Sequence, residues 1–227
     1  QSREQGCRHY KRLRVTGYAH HPYTRGGSRP PLSRVNKGEI TIGKAGRLSR
    51  LLNQAARAHR IPRGLPIHYT EHGWQTKPDL IFGVTDAQQA EYINQSDWIA
   101  YNNKRVRTVA QYKIVDDQSI SAFQMGLRRF AGSEPKPAYA AYRLPIWVKK
   151  RKGGTVTVYG QARPAPNGVP TTVDVQNAPS GNSFSTVATV PVTSANNTFT
   201  VKLPNTGGQW RLRWNGFTSR EAEASKR

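Results

Sequence analysis

The sequence predicts an α/β zone followed by an all-β zone, the second folded as a small β-sandwich. Two observations carry this expectation. Before about Pro145, short apolar runs alternate with stretches of helical periodicity. Strand, helix, strand, helix, strand, helix is the pattern of parallel β/α units. After Pro145 the helical period stops, and short alternating segments separated by Gly, Pro, Asn and Ser turns take over.

Val15 to Ala19 reads as the first strand, ending at His20-His21-Pro22-Tyr23. A loop rich in Gly, Pro, Arg and Ser runs from Thr24 to about Gly38. Leu48, Leu51, Leu52, Ala55 and Ala56 fall at i, i+3, i+4, i+7 and i+8, the spacing of one helix face, and Pro62 and Gly64 end that segment. Ile67, Tyr69 and Thr70 favour a strand between Pro66 and Gly73. Thr85-Asp86-Ala87-Gln88 fits the capping box, in which each end satisfies a backbone donor of the other. A helix is therefore expected from Thr85 to about Asn102, then a strand from Arg107 to Tyr112. Pro137 suits the first turn of a last helix, where its missing N–H costs nothing.

In the second zone Val156 and Val158, Val173 and Val175, Phe199, Val201 and Leu203, and Trp210, Leu212 and Trp214 alternate with polar residues. Val187 to Val192 supplies a further strand. So many short strands in so little chain predict an Ig-like β-sandwich, with the Trp210–Trp214 stripe on its buried face. The expected bounds are 1–147 for the β/α part, 148–220 for the sandwich and 221–227 for a frayed polar tail.

The 227 residues suffice for one large or two modest domains. No apolar run is long enough to span a membrane. The formal net charge of +22, from 35 Lys+Arg against 13 Asp+Glu, first suggests polyanionic partners. The cations are scattered, however, and the only dense run, Lys149-Lys150-Arg151-Lys152, reads as a solvated linker between the zones. There is no helix-turn-helix, zinc-finger or RNA-recognition signature. Specific nucleic-acid binding is not expected; weak, salt-dependent adhesion to anionic polymers is.

Glu71 is the most informative residue. It ends the strand Ile67–Glu71, and a carboxylate at the C-terminal end of a strand is where β/α barrels place catalytic groups. Its neighbours carry a resemblance. Gly17-Tyr18-Ala19-His20-His21-Pro22-Tyr23, Tyr69-Thr70-Glu71-His72-Gly73-Trp74-Gln75-Thr76, Arg107-Thr108-Val109-Ala110-Gln111-Tyr112 and Phe123-Gln124-Met125-Gly126-Leu127 occur in that order. Lys136-Pro137-Ala138-Tyr139-Ala140-Ala141-Tyr142 follows them. Together they resemble the sixth, seventh and eighth strands and last helix of a clan A retaining glycoside hydrolase, near its bacterial family-39-like and cellulase-like members. His72, where Phe is more usual, and Met125, where a small residue is common, depart from that pattern.

The resemblance implies that residues 1–147 are the C-terminal half of a (β/α)8 TIM barrel, from a secreted or cell-surface bacterial enzyme. It implies a carbohydrate substrate, Glu71 as nucleophile, and Tyr23 as the hydroxyl that orients it. His20 and His21 would contact sugar, though strand alternation lets only one face the centre, His21 by preference. Trp74, Gln111 and Tyr112 are further substrate-binding candidates. The family's acid/base is a Glu after Asn, and no Asn-Glu dipeptide occurs here. The chain therefore reads as the back part of a longer enzyme and as inactive alone. In a partial chain, the lack of a signal-like apolar segment says nothing of secretion. Cys7, the only cysteine, reads as a free or buried thiol, or as a disulfide partner for a cysteine elsewhere in the longer protein.

Other motifs have blander readings. His68-x-x-Glu71-His72 matches an inverted zinc-protease pattern, but Pro66 and Gly73 leave less than two helical turns for it. No metal and no cofactor are expected. Asp116 and Asp117 point oppositely on an extended chain and read as a solvated loop. Asn94-Gln95-Ser96 and Asn196-Asn197-Thr198 match glycosylation acceptors, a pattern common by chance.

Overall fold

The computed structural model describes residues 11–164 and 169–226, so Cys7 lies outside the described residues. The fold mixes helices with three sheets, and the described residues form no closed barrel. The first sheet is parallel, in the order β1 (Tyr18–His20), β2 (Ile67–His72), β3 (Val106–Gln111). α1 (Ala45–Arg57) joins the first pair, and α2 (Asp86–Tyr101) joins the second. α3 (Pro137–Arg143) follows β3.

The capping box at α2 forms as the sequence predicts. Gln88 N donates to Thr85 Oγ1 at 3.1 Å, and Thr85 N donates to Gln88 Oε1 at 3.0 Å. Pro137 occupies the first turn of α3. β1 starts three residues later than expected, and β3 ends one residue earlier. Ile67 and Tyr69 face the helices, packing with Leu48 and Leu52 of α1, Ala100 of α2, and Ile42. The other face of the sheet carries Ala19, Thr70, Thr108 and Ala110, all exposed.

Two antiparallel sheets follow. One is β4 (Ile146–Arg151), β5 (Thr155–Gln161) and β8 (Thr198–Pro204). The other holds β6 (Thr171–Ala178), β7 (Ser185–Val192) and β9 (Gln209–Trp214), with the short β10 (Phe217–Thr218) and β11 (Ala222–Glu223) paired to β9. Their facing sides share one core, in which Val148, Val156 and Val158 meet Val173, Val175, Trp210, Leu212 and Trp214. The Trp210–Trp214 stripe is buried, as its alternation predicts.

Two expectations fail here. The basic run is not a linker: Lys149, Lys150 and Arg151 pair with Thr157, Val156 and Thr155, and Lys152 enters the hairpin turn. A strand can carry cations when its outward side chains snorkel into water. Nor is the tail frayed. Ala222 is buried in the sandwich core, and Ser225 N donates to Val148 O at 2.8 Å while Lys150 N donates to Ser225 O at 2.7 Å. The segment Glu221–Lys226 escapes a polarity-based reading because its anchoring uses backbone groups and one small apolar side chain.

α2 carries the contact between the two parts. Trp98 packs on Trp147 and Tyr159. Asn94 Oδ1 accepts from Ile146 N at 3.1 Å and from Arg220 Nε at 3.0 Å. Its buried amide donates to Ala141 O, so this asparagine is no glycosylation acceptor in the fold. Asp97 pairs with Arg163 at 3.2 Å, both largely buried. Removing one member of such a pair strands a charge away from water. Arg163→Met is therefore expected to cost about 3 kcal/mol of unfolding free energy. Chemical denaturation reads this directly; a loss below about 0.5 kcal/mol, the range of an exposed pair, would contradict it.

Candidate active site

Glu71 sits one residue from the end of the central strand β2. A register irregularity between Tyr69 and His72 breaks the simple alternation. Tyr69 faces the helices, Thr70 is exposed, Glu71 is part-buried and His72 is fully buried. Gly73 lets the strand end approach its neighbour: a Cβ there would lie 2.4 Å from Tyr112 O. His72 O accepts from Tyr112 N at 2.8 Å, which holds the ends of β2 and β3 together.

Two side chains converge on Glu71. Tyr23 Oη donates to Oε2 at 3.3 Å, and His21 Nδ1 lies 3.3 Å from the same oxygen. Burial first, then the adjacent Glu71 charge, pushes the Tyr23 phenol well above its ordinary range. Tyr23 thus stays protonated and remains a donor. Glu71 also lines a cavity of about 710 Å³, together with Tyr23, Gln75, Asp79 and Tyr112 among others. That is within the usual volume of small-molecule sites.

The remaining sequence candidates divide. Tyr112 is on the cavity wall, with its ring edge-on to Phe123. His20 is not at the site. Its register partner is Tyr69, so it points toward the helices, and its Nε2 lies 2.9 Å from Ile40 O. Trp74 is not a substrate platform either. It is fully buried, packs with Val84, Ile93 and Leu127, and donates Nε1–H to Arg29 O at 3.0 Å. Gln111 does not line the cavity; its side-chain amide donates to Tyr112 O at 2.9 Å and Met125 O at 3.0 Å, bracing the wall from behind.

The zinc-protease pattern does not assemble. His68 Nδ1 contacts Thr108 Oγ1 on the open sheet face, while His72 is buried against Trp74. Among the described residues no cluster of three or more His, Cys, Asp or Glu could hold a metal. Among them too, no helix is long and apolar enough to cross a membrane.

The sequence reading missed the polar groups that pin the surrounding loops. Gln75 Nε2 donates to Asp79 Oδ2 at 2.9 Å, and its Oε1 accepts from Gln124 N at 2.6 Å. Asp79 Oδ1 also accepts from the backbone of Ile81 and Phe82 at 2.8 and 2.9 Å. Gln89, inside α2, donates to Trp74 O, Met125 O and Gly126 O at 3.1 to 3.2 Å. Asp116, expected in a solvated loop, is buried. It binds the buried ammonium of Lys136 at 2.7 Å and accepts from Gly126 N at 2.8 Å. Asp117 pairs instead with Lys113. No local signal singles out Gln75, between Trp74 and Thr76, or Gln89, between Gln88 and Ala90.

No family model matches this sequence, and no curated protein does. The structure is similar to solved β-glucuronidases. One is a calcium-binding mutant of β-glucuronidase 2 from Bacteroides uniformis, at 14% identity and a TM-score of 0.38, covering 93% of this chain and 25% of that one. Another is an FMN-binding β-glucuronidase from Faecalibacterium prausnitzii, at 13% identity and a TM-score of 0.33, covering 82% of this chain and 30% of that one. The chain thus spans about a quarter to a third of their length. Likeness at this level assigns neither substrate nor mechanism.

His72 makes a pH dependence. Burial pulls its pKa from 6.5 down to about 3, so between these values the unfolded chain binds a proton that the folded chain refuses. Stability is then expected to fall as pH falls from about 6.5 toward 3, by a few kcal/mol at most. His72→Phe, which keeps a ring against Trp74 without the titration, is expected to flatten that acid limb in denaturant melts at pH 7 and pH 4.5. An unchanged acid limb in the variant would contradict the assignment.

Proposed function

We propose that this chain is the C-terminal part of a retaining glycoside hydrolase barrel with an appended β-sandwich. Glu71 is its nucleophile. The observation that carries the reading is the carboxylate at the end of a central parallel strand, held by Tyr23 and His21 and opening on a cavity. The open sheet face supports it as well. Parallel sheets are ordinarily covered on both faces, and here Ala19, Thr70, Thr108 and Ala110 lie bare beside two unpaired edges among the described residues. Further barrel strands in a longer protein would cover them.

The chemistry follows from the geometry. Glu71 Oε1 attacks the anomeric carbon, an ester bond forms, and the bond to the leaving oxygen breaks. Tyr23, still protonated, donates to Oε2 and holds the carboxylate at one angle. The leaving oxygen needs a proton from a second carboxyl group about 5 Å away. Asp79, the other carboxylate on the wall, is a poor choice, because three donors already occupy it. The acid/base therefore belongs to residues outside this chain, and the chain alone turns over little or no substrate. In the second half of the reaction that same residue deprotonates water, which cleaves the ester and restores Glu71. No cofactor or metal enters. The longer protein would be secreted or displayed on a bacterial surface.

A second reading rests on the charge of +22. In it the chain is a non-catalytic surface protein that binds acidic glycan or wall polymer. That binding would weaken steeply with salt and ignore Glu71.

Glu71→Ala in the longer protein is expected to abolish glycoside hydrolysis; full turnover in that variant would sink the nucleophile assignment. Tyr23→Phe is expected to lower kcat by about 10- to 100-fold, the worth of a hydrogen bond to a charged group, with KM nearly unchanged. A rise in KM alone would mean that Tyr23 only binds substrate.

A further inference from the structure

The cavity that holds Glu71 has a mixed lining. Glu71 and Tyr23 belong to it, with His21 beside the carboxylate. So do the apolar side chains of Leu80, Ile81, Phe82, Ile120, Phe123 and Met125. Leu80 and Ile81 are 92% and 82% exposed, and Ile120 and Phe123 more than 45%. Single exposed apolar residues mean little, but a contiguous group around one cavity mouth marks a binding surface.

These side chains sit on two loops that are built rather than slack. In the first, after β2, Asp79 gathers the backbone N–H groups of Ile81 and Phe82, and Gly83 N donates back to Asp79 O at 3.1 Å. Gly26, at φ 63°, leaves the space in which the Phe82 ring lies, since a Cβ there would meet that ring at 2.2 Å. In the second, after β3, Asp117 accepts from Phe123 N at 3.0 Å, and Gln124 Nε2 donates to Asp117 O and Ser119 O at 3.1 and 2.8 Å. Gln75 joins the two loops through Asp79 and Gln124. Apolar side chains are therefore held out to water on a fixed frame, and they line the same cavity as the carboxylate.

We infer that the site takes an amphiphilic glycoside, its sugar at Glu71 and an apolar alkyl or aryl group against the Leu80–Phe82 and Ile120–Phe123 loops. This rests on the hydrolase reading above and names its substrate class. A cavity lined only by hydroxyls and amides would suit a plain oligosaccharide. Here the polar wall residues Gln75 and Asp79 are already bound to each other and to backbone groups, which leaves them fewer positions to meet a second sugar.

The test is a titration of the chain with methyl and octyl β-D-glucopyranoside, below micelle-forming concentration, followed by calorimetry. Each buried methylene can add up to about fourfold in affinity. Octyl glucoside is expected to bind at least about tenfold more tightly than methyl glucoside, allowing for partial burial. Leu80→Ser with Ile81→Ser is expected to erase that gain; both positions are too exposed for the change to unfold the chain. Equal affinity for the two glucosides, or a gain that survives the double substitution, would overturn the proposal. So would 1-octanol binding as tightly as octyl glucoside, because the sugar end would then contribute nothing. The hydrolase reading fails separately: a longer protein that keeps full turnover as Glu71→Ala defeats it whatever the chain-length series shows.

Discussion

A buried ammonium ties the loops behind the candidate site together. Lys136 Nζ, shut off from solvent just before α3, binds Asp116 at 2.7 Å, Thr76 Oγ1 at 2.8 Å and Gln124 O at 3.3 Å. Thr76 follows β2, while Asp116 and Gln124 follow β3. Burial pulls the Lys136 pKa down, and the Asp116 charge opposes that pull. An isolated charge in that position would be costly, so the three segments are stable only together. Gln89 adds a second clamp from α2 on the same loops. Glu71 is thus displayed from a strand end whose surroundings have little freedom to relax away.

That rigidity reaches the β-sandwich through α2. One face of the helix packs on the loops of the site, through Gln89, Ala90 and Ile93. Further along, Asn94, Asp97 and Trp98 engage the sandwich through Ile146, Arg220, Arg163 and Tyr159. A helix with contacts on both sides has no single apolar stripe, which is why buried Asn, Asp and Gln sit among its apolar residues. The sandwich therefore braces the helix that clamps the site loops.

Much of the scaffold was legible in the sequence. Local signals with a fixed geometry survived: the Thr85/Gln88 capping box, Pro137 in the first turn of its helix, the period-2 stripe at Trp210–Trp214. The position of Glu71 at a strand end was equally local, and alternation separated His21 from His20. What failed was long-range. Trp74 looks like a sugar platform beside Glu71, yet a backbone carbonyl 45 residues away, at Arg29, takes its indole N–H into the core. Asp116 looks solvated until Lys136, 20 residues on, folds onto it. The basic run and the polar tail became strands because β5 and β9 offered them backbone partners, which composition does not reveal.

The central claim is that Glu71 forms a covalent bond to sugar, and its most direct test needs no acid/base. A dinitrophenolate leaves without being protonated, and with no base to activate water the ester should persist. This chain would be incubated with a panel of 2,4-dinitrophenyl glycosides, digested and mapped by mass spectrometry. The account predicts one added glycosyl unit on the peptide holding Glu71, absent from Glu71→Gln. A glycosyl unit on another residue, or none on Glu71 with any sugar, would contradict it.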